Sequence, residues 1–205
     1  MSIPAAPDGR RARKRQQTAD HLVQAAFDLF AEFGYDKVTM EQIAVAADVA
    51  KGTLYNHFPV KEALLRHRFH VDLAAALPAL FAELATLPDC AARLRAFLHR
   101  AADFAERFRD YMAPYLHYRL SQPVDTLGRD NRSGLDQIYA RLLAEGQASG
   151  EIRADLPTQQ LADTLQFMHL CTVMRWLRTP GASLAADFDA MLDLFLGGAR
   201  AGGQA

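Results

Sequence analysis

The chain has 205 residues, half of them hydrophobic and 23% charged, with a formal net charge of −1. Those figures exclude a disordered chain, which is too polar to bury a core, and a general polyanion binder, which needs a basic excess. They leave one large domain, or a small domain joined to a medium one. The longest apolar run, Leu73–Ala82, holds Pro78 and is well short of the roughly 18 residues that a membrane span needs. A polar, basic N-terminus with no apolar segment behind it gives the expectation of a cytoplasmic protein. Cys90 and Cys171 lie far apart with no CxxC spacing and read as small buried hydrophobes.

In chain order, residues 1–12 read as a disordered basic arm, with Pro4, Pro7 and Gly9 and no periodicity. Arg10, Arg11, Arg13, Lys14 and Arg15 give residues 1–16 a net charge of +4, whereas residues 17–60 carry −4. A dense cationic segment before a mildly acidic one is the footprint of a phosphate-neutralising arm. From Arg13 to Phe33 the residues Leu22, Ala25, Leu29, Phe30 and Phe33 recur at helical steps, and Gly34 is placed to stop the helix in the left-handed conformation. Thr39 and Gln42 form a T-x-x-Q capping box that opens a short helix with Ile43, Ala44 and Ala47 inward. A break at Asp48–Val49 separates it from a second short helix, Lys51–Phe58.

A longer helix is expected from Lys61 to Leu77, where Pro78 ends or kinks it. Asp89 caps the next, with Leu94, Phe97, Leu98, Ala101, Phe104 and Phe108 on one face, and a short aromatic segment, Tyr111–Leu120, follows. Leu135, Ile138, Tyr139, Leu142 and Leu143 mark another helix, closed by Gly146 or Gly150. A helix beginning near Pro157 runs to Arg178, and Ser183 caps the last, to Leu196, closed by Gly197–Gly198. No stretch alternates as a strand does. The expected fold is therefore all-α with about nine helices: a helix-turn-helix domain over residues 13–60 and a second helical domain over residues 61–205.

The segment Thr39–Phe58, TMEQIAVAADVAKGTLYNHF, fits either an αα-hairpin inside an all-α core or a helix-turn-helix, in which the second helix presents its N-terminal residues to base edges in the major groove. Lys51-Gly52-Thr53-Leu54-Tyr55, His57-Phe58 and Lys61-Glu62-Ala63-Leu64-Leu65 resemble the TetR family of bacterial transcriptional regulators. The resemblance extends upstream through Ala26-Phe27, Leu29-Phe30, Phe33-Gly34-Tyr35, Thr39, Ile43-Ala44 and Ala47, and covers roughly residues 15–70. A weaker likeness, Glu145-Gly146-Gln147 with Gly150-Glu151-Ile152-Arg153, matches the stretch joining the family's seventh and eighth helices. Asp48 stands where the family usually has Gly, and Ala50 where it usually has Ser or Thr. Asp tolerates the left-handed conformation, so the turn is expected to survive, while Ala50 removes a cap worth about 0.5–2 kcal/mol.

The resemblance implies a double-stranded DNA operator as partner and gives roles to particular residues. Thr39, at a helix N-terminus, suits a phosphate; Lys51, Thr53 and Asn56 suit base edges; Gly52 permits close backbone approach. Tyr55, His57 and Lys61 would reach phosphates, and Arg10, Arg11, Arg13, Lys14 and Arg15 would lie along the backbone or enter the minor groove.

By the same likeness, the C-terminal domain is expected to form a homodimer and sense a ligand. The 157–178 helix is apolar nearly all round, and such a helix must be buried on two sides. Phe97, Phe104, Phe108, Tyr111, Tyr115, His117, Tyr118, Phe167, Met168, His169 and Met174 are candidates to line a pocket for a small apolar or aromatic effector. His67, His70 and Asp72 lie close in sequence without an assured third ligand, and no hydrolase or phosphate-loop motif is present. Neither a metal, a cofactor nor catalytic residues are expected. The overall expectation is a ligand-responsive repressor, released from a pseudo-palindromic operator by its effector.

Overall fold

The computed structural model describes residues 7–121 and 134–199. Among them are nine α-helices and one 3-10 turn, with no β-strand. In chain order they are α1 (Pro7–Phe33), the 3-10 turn (Tyr35–Lys37), α2 (Met40–Ala46), α3 (Lys51–His57), α4 (Lys61–Leu84) and α5 (Cys90–Arg107). After these come α6 (Arg109–Ser121), α7 (Leu135–Ala148), α8 (Thr158–Arg178) and α9 (Leu184–Ala199). Two compact units divide the chain. Of the described residues, the first takes those up to Asp72 together with Pro114–Arg119, and the second takes Leu73–Ala113 and those from Leu120 on. The division thus falls within α4, twelve residues beyond the boundary expected from sequence.

Several local expectations are corrected. Positions 7–12 are helical, so the basic residues extend α1 by about two turns; residues 1–6 lie outside the described residues. Arg, Lys, Gln and Ala are strong helix formers, and a polar helix shows no apolar periodicity to reveal it. Helix α4 passes through Pro78 to Leu84. An interior proline costs about 3 kcal/mol, but the surrounding alanines favour helix, and Leu80 and Leu84 beyond it are buried. The aromatic segment is a full helix, α6, with Pro114 inside it, and α9 continues through Gly197–Gly198. Gly34 has a positive φ of 84°, but its ψ of 147° lies far from the left-handed helical well. That combination is open almost only to glycine, so the residue is constrained for a different reason than expected.

In the first unit, Leu22, Ala26, Phe30, Ile43, Leu54 and Leu64 are almost wholly buried. The rings of Phe27, Phe30 and Tyr35 meet edge-on at centroid distances of 5.5 and 5.0 Å. In the second, α7 packs on α8, and α5 and α8 pack on α9, around Leu94, Leu98, Tyr139, Leu143, Trp176 and Phe188. The connection between α7 and α8 is fixed by side chains. Gln147 donates from Nε2 to the carbonyls of Arg153 (2.8 Å) and Leu156 (3.0 Å), and Glu151 Oε2 accepts from the Cys90 amide at the start of α5 (2.7 Å).

At Gly146 a Cβ would stand 2.7 Å from both Cys90 Sγ and Ile152 Cγ1. Gly146→Ala is expected to destabilise the protein by about 1–2 kcal/mol, overpacking outweighing the helix propensity gained. Urea unfolding measures it, and an unchanged midpoint would show that α5 and α7 separate freely at this contact.

Candidate nucleic-acid interface

The helix-turn-helix is built by caps and small residues. Thr39 Oγ1 accepts from the Gln42 amide (3.2 Å) while Gln42 Oε1 accepts from the Thr39 amide (2.8 Å), so both halves of the capping box form. Ile43, Ala44 and Ala47 are buried against neighbouring elements. Asp48 carries the turn at φ 50°, the left-handed conformation expected of it, and the Val49 amide donates to Ala44 O at 3.0 Å. His21 of α1 bonds Ala47 O at 3.0 Å, tying the turn to α1. Helix α3 then buries Leu54, with Phe58 buried just past its end, and exposes Lys51, Gly52, Tyr55 and Asn56; Thr53 and His57 are half-buried. Its first residue follows Ala50, which provides no side-chain cap.

The expected DNA-contacting residues are in different states. Among the described residues the exposed Asn56 side-chain amide has no partner, and none of their atoms lies within 4 Å of where a Cβ on Gly52 would stand. Thr39 is exposed, its oxygen lone pair used by the cap and its hydroxyl proton left to donate. Arg10, Arg11, Arg13, Lys14 and Arg15 are all exposed on the first turns of α1. The His57 ring binds a proton less readily than usual, through burial first and then the nearby positive charge of Arg15, which places the basic end of α1 beside α3.

Lys61 does not offer a free ammonium. It donates to the carbonyls of Tyr35 (2.6 Å) and Val38 (2.9 Å) and lies 4.1 Å from the Tyr35 ring centroid, so its first role is to hold the 3-10 turn against α4. Lys51 and Tyr55 are also engaged, both by Glu41, a residue that the sequence reading passed over.

Residues 22–67 match the sequence profile of the bacterial regulatory proteins of the tetR family. The HTH-type transcriptional regulator RutR of Escherichia coli is 33% identical over 150 residues, which are 70% of this chain and 68% of RutR. The chain belongs to the TetR family. A second relative, the HTH-type transcriptional repressor KstR2 of Mycolicibacterium smegmatis, is 28% identical across 90% of this chain and 86% of its own. Among solved structures, FadR of Thermus thermophilus is similar: a TetR family transcriptional repressor in complex with lauroyl-CoA, with a TM-score of 0.79 and 28% identity, covering 91% of this chain and 98% of FadR. This TetR-family chain is accordingly a DNA-binding transcriptional regulator, of a class whose members are regulators rather than enzymes. No helix among its described residues is long and apolar enough to cross a membrane.

The eleven residues expected to line an effector pocket fall into separate groups. Phe97 is core, edge-on to Tyr139 at 5.3 Å; Tyr139 in turn bonds His169 Nδ1 at 2.8 Å, and His169 stacks on Phe188 at 4.7 Å. Phe104, Phe108 and Tyr111 form a chain of rings at 4.8 and 6.2 Å. Tyr115 packs on Phe69 within the first unit (4.9 Å), where Tyr118 is half-buried and His117 exposed. Phe167 is 69% exposed, and with Met168 it lines an open groove of about 680 Å³ along α8; Met174 is half-buried. Aromatics at helical spacing mark core, surface and pocket alike, which is why sequence could not separate them. His67 is turned to Asp20 Oδ1 at 2.8 Å, and His70 Nε2 is buried without a partner among the described residues.

Proposed function

We propose that this TetR-family regulator is a ligand-responsive repressor whose homodimer binds a pseudo-palindromic operator and is released by a small apolar or aromatic effector. The observation that carries the reading is the exposed face of α3. It offers an amide at Asn56 with no partner among the described residues and open backbone at Gly52, beside the hydroxyl proton of Thr39 and the cationic start of α1. Lys51, Thr53 and Asn56 then read base edges, while Thr39, Tyr55, His57 and the basic residues of α1 position the protein on phosphates, and Lys61 adds at most the one ammonium proton left by its bonds to Tyr35 and Val38.

Dimerisation is supported by apolar residues left on the outer faces of the last two helices, Phe167 of α8 and Leu194 of α9, at 69% and 74% exposure. A two-fold dimer sets two recognition helices against two half-sites. The likeness to FadR, solved with lauroyl-CoA, supports the effector class in one part only: the lauroyl chain is apolar, while the CoA moiety is large and anionic. Release follows if the effector binds better to a dimer whose recognition helices are wrongly spaced, to the extent of that differential affinity. This reading calls for no cofactor, metal or catalytic residue, and it puts the protein in the cytoplasm with the DNA it binds.

The test is titration of the purified protein into labelled DNA from the region upstream of its own gene, against a scrambled duplex, at two salt concentrations. A native duplex bound about a thousandfold more tightly supports the reading. Equal binding that collapses with salt would make the chain a phosphate-dominated architectural protein instead.

A further inference from the structure

The two side chains of α3 with the strongest donors are aimed at a single atom of α2. Lys51 Nζ lies 2.5 Å from Glu41 Oε1, and the Tyr55 hydroxyl donates to the same oxygen at 3.4 Å. The Lys51 ammonium also stands 5.7 Å from the Tyr55 ring centroid. Glu41 is on the surface and takes no part in the core, its side chain 52% exposed against 61% for Lys51. A carboxylate oxygen that collects an ammonium and a phenol is doing what a phosphate oxygen would do.

We propose that Glu41 is a specificity gate: in the free protein it holds two of the donors that α3 gives to DNA, Lys51 and Tyr55, and on DNA it penalises duplexes that offer α3 nothing but phosphates. The proposal rests on the DNA-binding reading above. Glu41 lies two residues past Thr39, in the turn of α2 expected to meet the DNA backbone, so a phosphate that draws Lys51 away also meets the abandoned carboxylate. On random DNA the attraction and the repulsion offset each other. At the correct site Lys51 gains acceptors on a base edge, which the repulsion does not cancel. An exposed ion pair is a weak latch, so the correct site opens it readily.

The alternative is that Glu41 merely staples α2 to α3, and the two differ in sign. Four proteins decide it: wild type, Glu41→Gln, Lys51→Ala and the double variant. They are titrated against a duplex selected from a random pool by the wild type, and against its scrambled counterpart. The gate predicts that Glu41→Gln binds the scrambled duplex about three- to tenfold more tightly and the selected duplex less altered, so that discrimination falls. It also predicts a salt slope on scrambled DNA steeper by about one, and a smaller gain in the Lys51→Ala background, where the latch is already gone and only the carboxylate's repulsion of phosphate remains to be removed. Glu41→Gln binding both duplexes more weakly would establish the staple and overturn the gate, as would unchanged affinity for both. A wild type that selects no duplex would instead overturn the DNA-binding reading, and the gate with it.

Discussion

Replacing Asn56 with alanine is expected to weaken binding to the selected operator by up to about a hundredfold, while changing affinity for scrambled DNA little. An amide that pairs with adenine N6 and N7 is worth about 1–3 kcal/mol of discrimination, and that term vanishes where no adenine is correctly placed. The position suits the experiment because Asn56 is exposed and its side chain has no partner among the described residues, so the described fold does not depend on it. Alanine is also the better helix former, so α3 is not weakened. The measurement is fluorescence anisotropy on both duplexes, with a thermal melt to show that the fold is intact. A loss of equal size on both duplexes would make Asn56 a phosphate contact and leave the reading of bases to Lys51 and Thr53. Lys61→Ala would not give so clean a result, because Lys61 holds the carbonyls of Tyr35 and Val38.

What the sequence disclosed about this interface was local in the chain. The T-x-x-Q box at Thr39, the left-handed Asp48 and the missing cap at Ala50 each depend on residues within four positions of one another, and each is present. Glu41 and Lys51 are ten positions apart and meet only because the turn folds α3 back on α2, so no spacing rule could pair them. Lys61 shows the same limit, since its partners lie across the 3-10 turn, 26 and 23 positions away. The basic start of α1 was missed for the opposite reason: helix made of polar residues has no apolar period to read. In the second unit the difficulty is chemical. Phe97, closed in the core, and Phe167, open on α8, carry the same signature of aromatic residues at helical spacing. The hydrogen bond that singles out His169 comes from Tyr139, thirty positions away.

The burial of His169 makes the second unit acid-labile, and its stability is expected to fall by about 2 kcal/mol between pH 7 and pH 5. Burial pushes His169 down to about 4, while in the unfolded chain it returns to an ordinary imidazole near 6.5. Between those values the unfolded state binds a proton that the folded state refuses, so stability declines as pH falls through the window and is flat above it. The neutral ring accepts at Nδ1 from the Tyr139 hydroxyl, whose own ionisation burial pushes upward, and protonation there would remove the acceptor. Carboxylates such as Asp189 and Asp155, held below their ordinary range, lose their contribution only in more acid solution. The chain's single tryptophan, Trp176, is buried in the same unit and reports its unfolding in urea at a fixed protein concentration. His169→Gln keeps an acceptor for Tyr139 but does not titrate, so it should remove the His169 share of the slope whatever it does to absolute stability. His70 in the first unit, also pushed down to about 4 by burial and by Arg66 and Arg119, adds a parallel decline; where the two units unfold together, Trp176 reports both and His169→Gln removes about half of the slope. A Trp176 transition with the same midpoint at pH 7 and pH 5 would show that His169 takes up its proton in the folded protein, and that the pair with Tyr139 opens to admit it.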